Sequence, residues 1–331
     1  MNNDFKLLSL KEEKQLSTTE LKNYYNELKQ FLIDRKLTNT TKGAEFVGPK
    51  LKLFTNKIAK NLTKIISGKD VEIVSDGQEN IPEGPVIFAH THQGLLDNFA
   101  WISETPKHSI ILHSSVVKKF LVLIQMNTGL VLVKKDDKEN RKNAKLDMIE
   151  LLNKGNSISY FPESAWNLSP NKLHLPLNFG FLDVAKKASV PVVPVVDEYT
   201  YDSSTEKERI TRIHIKFGKP IYVNIDDDLQ QKLLEYEEQI STMRWDLISE
   251  KGLYKRSDIS NLEYINYLKG NLNNLRLGGI DINIERKNIW NANDEFYKFN
   301  FINDVEFDED GNFLETSEKR RLALINKKHN I

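Results

Sequence analysis

The sequence predicts an α/β protein with a mostly parallel central sheet flanked by helices. A helical N-terminal element and a C-terminal extension complete it. Three observations predict this. Short apolar runs recur between residues 71 and 217, and several are apolar throughout, as strands covered on both faces are. Helical patterns separate those runs, which implies crossover connections and a parallel sheet. Residues before 69 and after 225 lack the alternation, giving regions 1–68, 69–225 and 226–331.

The first region reads as two helices. Ser17 and Glu20 have capping-box spacing ahead of an amphipathic run. A second helix starts at Pro49, with Leu51, Phe54, Ile58, Leu62 and Ile65 on one stripe. Docking onto the main domain is the expected use of that stripe. Lipid contact is the alternative, since Lys50, Lys52, Lys57, Lys60 and Lys64 lie along the same helix.

In the second region VEIV (71–74), PVIFA (85–89), SIIL (109–112), LVLV (130–133), SISYF (157–161) and VPVVPVV (190–196) read as strands. RIHIKF (212–217) alternates like an edge strand. Between them 116–124, 139–152 and 182–187 read as helical. In the third, Leu229, Leu233, Tyr236, Ile240, Met243 and Leu247 mark one long helix, after which the pattern weakens.

Composition narrows the chemistry. The 331 residues carry 47 basic and 47 acidic side chains, so no global field favours nucleic acid. There is no cysteine, which removes a thiol nucleophile, a thiolate metal site and disulfides, and fits a cytosolic protein. No secretory leader pattern stands at the N-terminus, and no run reaches the ~18 apolar residues of a membrane span. A membrane would be met from the side.

Candidate chemistry gathers at strand ends, where ligands bind in parallel α/β sheets. FAHTHQGLLDN (88–98) follows the strand PVIFA and holds His90, His92 and Asp97. An aspartate one turn into the next helix could orient a histidine base. His90 and His92 could instead open a metal site for a hydrolase, though the sequence offers no second spaced cluster of ligands. YFPESAW (160–166) ends another strand and projects Glu163. GLVLVKKDD (129–137) ends a third at Lys134 and Lys135. Residues 104–145 hold nine Lys/Arg against four Asp/Glu, a local surplus suited to an anionic substrate or membrane surface. No Gly-x-Ser-x-Gly and no Walker loop occurs.

Taken in order, these blocks resemble the glycerolipid acyltransferase family, which includes the 1-acylglycerol-3-phosphate acyltransferases. HQGLLD (92–97) matches its His-x4-Asp block. GLVLVKK (129–135) is similar to the second, with Lys135 at the usual arginine. FPESAW (161–166) keeps the first half of Phe-Pro-Glu-Gly-Thr/Ser-Arg, and VPVVPV (190–195) is similar to the fourth. About 37 residues separate His92 from Gly129 and about 34 separate Gly129 from Glu163.

The resemblance implies a glycerol-3-phosphate acyltransferase-like fold. It implies transfer of a fatty acyl group from acyl-CoA or acyl carrier protein to a lysophospholipid hydroxyl. His92 would be the base and Asp97 its orienting partner, with no cofactor and no metal. Gly129, Lys134, Lys135, Glu163, Ser164 and Trp166 would serve the acceptor, with Lys172 able to compensate for lost basic contacts. The implied setting is cytoplasmic, peripheral on the inner face of the membrane. Ser164, Ala165 and Trp166 depart from the family pattern. They leave open a larger head group, or a member that binds lipid with weak turnover.

Overall fold

The computed structural model describes residues 5–45, 49–67, 70–94, 96–114, 129–134, 137–164, 173–174, 177–202 and 209–250. The sequence-predicted helix at 116–124 and everything after 250 lie outside these residues, as do Lys135, Trp166 and Lys172.

Seven strands form one sheet: β1 (Glu72–Asp76), β2 (Ile87–His90), β3 (Ser109–Ser114), β4 (Leu130–Val133), β5 (Ser157–Tyr160), β6 (Val192–Asp202) and β7 (Arg209–Phe217). Their order is β1-β7-β6-β2-β5-β3-β4. Strands β2 to β6 run parallel, so their carboxyl ends share one edge. β7 turns back antiparallel on β6, and β1 pairs parallel to β7. The sheet is therefore mostly parallel, as expected. The expected edge position of 212–217 is corrected: β7 lies inside, between β1 and β6. Its alternation arises because Ile213, Ile215 and Phe217 are buried while intervening residues face outward.

The helices are α1 (Leu10–Glu13), α2 (Thr18–Ile33), α3 (Pro49–Ser67), α4 (Asp97–Glu104), α5 (Lys138–Asn153), α6 (Gly180–Ala188) and α7 (Leu229–Glu250). They cover both faces. One core joins Ile87, Ala89 and Ile158 to α5, α6 and α7 through Leu151, Phe181 and Tyr236. The other joins Phe88, Val193 and Ile215 to α4 through Trp101. Alternate residues of β2 enter opposite cores, which is why that strand is apolar throughout.

The N-terminal element is tied in by polar contacts as well as packing. Ser17 and Glu20 form the expected capping box, and Ser9 with Glu12 forms a second one ahead of α1. Glu13 pairs with the buried Lys187 of α6, which also meets Asp183. Residues 39–41 run along the open side of β4: Leu132 donates to Asn39 O (2.6 Å) and Thr41 donates to Leu130 O (3.0 Å). This covers an edge that would otherwise invite pairing with another chain.

Helix α3 rests on α4, with the stripe expected to dock only partly covered: Ile58 and Leu62 are half-buried. Ala59 and Thr63 are buried, whereas Phe54 is 62% and Ile65 74% exposed. Asn56 donates to Thr105 O and Lys60 pairs with Glu104 on the docked side. The apolar stripe is rotated toward solvent, so docking accounts for only part of it.

Candidate active site

The site is built where β2 stops. After His90 the chain leaves the sheet, turns through Gly94 and enters α4 at Asp97. Asp97 has no exposed surface, and its carboxylate closes the turn. Oδ2 accepts from Gln93 N–H (2.7 Å), Gly94 N–H (2.9 Å) and the His92 ring at Nδ1 (2.9 Å). A carboxylate only accepts, so Nδ1 carries the proton and Nε2 is the basic nitrogen. The first-turn position also suits a negative charge at the positive end of α4. Oδ1 accepts from the Tyr199 hydroxyl.

β5 ends beside β2 and brings Phe161 to Ser164 to the same place. The Phe161 ring stands 4.2 Å from the His92 ring and 5.1 Å from His90. Glu163 is buried, and its Oε1 accepts the His92 backbone N–H at 2.8 Å. The first and third sequence blocks, 71 residues apart, are thus joined by one hydrogen bond. Expected among the acceptor-binding residues, Glu163 is placed to hold the backbone of the histidine.

Ser164 has φ 57°, a left-handed conformation that costs a β-carbon-bearing residue about 1 kcal/mol. This is the physical reason a glycine is usual at that place. Asn178 steadies the turn: its Nδ2 donates to Pro162 O (2.6 Å) and to Ser164 Oγ (3.0 Å), while its Oδ1 accepts from Tyr160 (2.7 Å).

His90 does not share the role of His92. It is fully buried between Trp101 (4.8 Å) and Phe161, and neither ring nitrogen has a partner among the described residues. Burial, with the neighbouring His92 adding to it, pushes its pKa down to about 3, so the ring is neutral. Among the described residues no group of three or more His, Asp or Glu converges as a metal-binding set.

Gly129 and Lys134 bracket β4. Lys134 is exposed at the carboxyl end of the strand, and its N–H donates to Asn140 Oδ1 (2.6 Å). Gly129 stands at the opposite end with φ 94°, where a β-carbon would come within 2.6 Å of the Ala44 backbone. Expected near the acceptor, it instead permits a close backbone crossing.

The outer half of β6 and α7 supply residues that sequence reasoning missed. Gln93 donates to Asp197 O and, at 3.2 Å, to Glu198. Glu198 also accepts from Arg244 of α7 (3.1 Å). Asp197 has no exposed surface, and neither of its carboxyl oxygens has a partner among the described residues. Burial, then Asp97 and Glu198, drive its pKa well above the usual carboxylate range, against the pull of Arg244. The tyrosine three residues past the predicted end of the strand was a weak signal; an alternating polar run continuing VPVVPVV was the other.

Residues 72–197 match the family described as Acyltransferase. Over 122 residues the chain is 28% identical to the 1-acyl-sn-glycerol-3-phosphate acyltransferase BAT2, chloroplastic, of Brassica napus. The match covers 36% of this chain and 35% of that protein, so it spans about a third of the relative's length. Among solved structures, the 1-acyl-sn-glycerophosphate (LPA) acyltransferase PlsC from Thermotoga maritima aligns with TM-score 0.49 and 19% identity. That alignment covers 70% of this chain and 96% of PlsC. The matched segment runs from β1 to Asp197 and contains all four sequence blocks with the His92–Asp97 pair. That segment is what the chain shares with the Acyltransferase family and with the Brassica napus relative.

Proposed function

We propose that this protein transfers a fatty acyl group from a thioester, acyl-CoA or acyl carrier protein, to the hydroxyl of a lysophosphatidate-like glycerolipid. The observation that carries the proposal is the His92 ring. It is held at 2.9 Å on a fully buried aspartate at the carboxyl edge of a parallel sheet. In this reading Nε2 of His92 takes the acceptor's hydroxyl proton as its oxygen attacks the thioester carbonyl. The tetrahedral intermediate then collapses, the C–S bond breaks, and the thiolate leaves with the proton that His92 returns. The matched relative is named for 1-acyl-sn-glycerol-3-phosphate, which supports an acceptor of that class.

The basic end of β4, Lys134 with Lys135 next in sequence, would meet a phosphate, and Ser164 and Trp166 of the third sequence block would serve the rest of the acceptor. A lysine is a point charge and cannot form the bidentate fork of an arginine, so a single phosphate would be held less rigidly.

The same reading places the protein peripherally on the inner, cytoplasmic face of a membrane. Support comes from α3, whose exposed Phe54 and Ile65 lie on a helix that also carries Lys57, Lys60 and Lys64. Among the described residues no helix is long and apolar enough to cross a bilayer.

The test is free-thiol release from oleoyl-CoA and oleoyl-acyl carrier protein across a panel of lysophospholipids. Turnover with lysophosphatidate, reduced at least about 10³-fold in His92→Ala without loss of fold, is expected. Turnover retained in that variant would overturn the role of His92. Lipid binding with no transfer to any acceptor would overturn the activity.

A further inference from the structure

We propose that Tyr199 is a positioning residue for the His92–Asp97 pair, its hydroxyl holding the carboxylate oxygen that His92 does not use. The role rests on the reading of His92 as the base, but the geometry behind it stands on its own. All three donors to Asp97 Oδ2 come from residues 92 to 94, within one turn of chain. That local set orients the carboxylate relative to its own loop only. Tyr199 is the donor to Oδ1, and it reaches across 102 residues from the outer half of β6. It is the one hydrogen bond among the described residues that fixes Asp97 to the sheet through its second oxygen.

The sheet is built to deliver it. β2 ends at His90, paired with Val195, whereas β6 continues to Asp202. Beyond Val195 the strand that pairs with it is β7, with Tyr199 opposite Ile213. Six residues of β6 from Asp197 onward therefore project past the end of β2, over the turn that holds the pair. Tyr199 is 6% exposed, and a β-carbon on Gly94 would stand 3.5 Å from its ring. That is ordinary van der Waals distance, so the ring lies against the turn.

The groups around the pair favour this arrangement. Asp197 and Glu198 precede Tyr199 on β6, Arg244 reaches Glu198 from α7, and Glu163 reaches the His92 backbone from the turn after β5. Of the carboxyl groups of the two nearby aspartates, only that of Asp97 receives donors among the described residues. Removing the phenol hydroxyl would strand Oδ1 as a buried acceptor. It would concentrate the carboxylate's hydrogen bonding on Oδ2, where His92 is bound.

Tyr199→Phe keeps the ring and deletes the donor. With oleoyl-CoA and 1-oleoyl-lysophosphatidate as probes, kcat should fall about 10- to 100-fold with KM within about twofold, the loss of one hydrogen bond to a charged group. An unchanged kcat in the folded variant, or a loss confined to KM, overturns the proposal.

A second measurement needs no substrate. The Nδ1–H proton resonance of His92, assigned by its loss in His92→Asn, should move downfield in Tyr199→Phe. It should move upfield when 3-fluorotyrosine, a stronger donor, replaces tyrosine at 199. The fluorinated protein keeps the question open to test if the phenylalanine variant does not fold. A resonance that does not move overturns the proposal. If the native protein fails to turn over these lipids while the resonance shifts as described, the acyl-transfer reading falls and the positioning role stands.

Discussion

The turn after β2 and the outer half of β6 each bury an aspartate completely, and they treat it in opposite ways. Asp97 receives four donors: two backbone amides, the His92 ring and the Tyr199 hydroxyl. Asp197 receives none on its side chain among the described residues. Equal burial therefore does not mean equal hydrogen bonding. A buried carboxylate surrounded by donors can hold its charge, while one without them is driven toward the neutral form. Asp97 lies on a turn whose free amides point at its carboxylate, whereas the Asp197 amide donates to the Thr91 hydroxyl.

That contrast can be broken most forcefully at Asp97. Asp97→Asn replaces an acceptor oxygen by an N–H donor facing existing donors, so kcat should fall about 10²- to 10⁴-fold, measured by thiol release, with a lowered Tm. Near-native turnover would mean that the four donors do not serve the histidine.

His90 gives the next largest effect, on stability rather than rate. Its folded pKa, about 3, lies below the ordinary histidine value of 6.5. Its neutral burial is therefore fully stabilising above about pH 6.5, and that stability drains away as pH falls toward 3. The loss is on the order of 5 kcal/mol over that span. His90→Phe should flatten the decline of Tm between pH 7 and pH 4, checked by thermal denaturation.

Asp197 has the opposite sign. A raised folded pKa makes its contribution complete below the unfolded carboxylate value and progressively lost as pH rises toward the folded value. Asp197→Asn removes the ionisation, so Tm of the variant minus Tm of the native protein should grow from pH 5 to pH 8. A constant difference would show that Asp197 carries no proton in need of keeping.

The smallest effect belongs to Ser164→Gly. Relief of the left-handed φ of 57° should add about 1 kcal/mol, less whatever the lost Asn178 contact gave, read from denaturant midpoints.

Much of this arrangement was legible in the sequence. The runs read as strands at 130–133 and 157–161 form strands at Leu130–Val133 and Ser157–Tyr160, since a short run with few charged residues between helical patterns marks a covered strand. The His92–Asp97 pair was legible because both members sit in one turn, where spacing is geometry. Tyr199 and Asn178 were not, since their partners lie 102 and 14 residues away and no local pattern encodes that pairing. The stripe of α3 was informative only in part, for a related reason. Periodicity shows that a helix has an apolar side, not which neighbour will meet it, and the small side chains of Ala59 and Thr63 allowed the close approach to α4.

The sequence by itself determined the α/β class, the order of the blocks and the residues able to move a proton. Each of these depends on interactions within a few residues or on burial that repeats along a strand. Only the tertiary structure decided which aspartate is surrounded by donors, that Glu163 holds the backbone of His92, and that β6 overshoots β2 to bring a phenol to the pair. Those depend on strands that meet across long stretches of chain, where distance is set by the register of the sheet and not by spacing in the sequence.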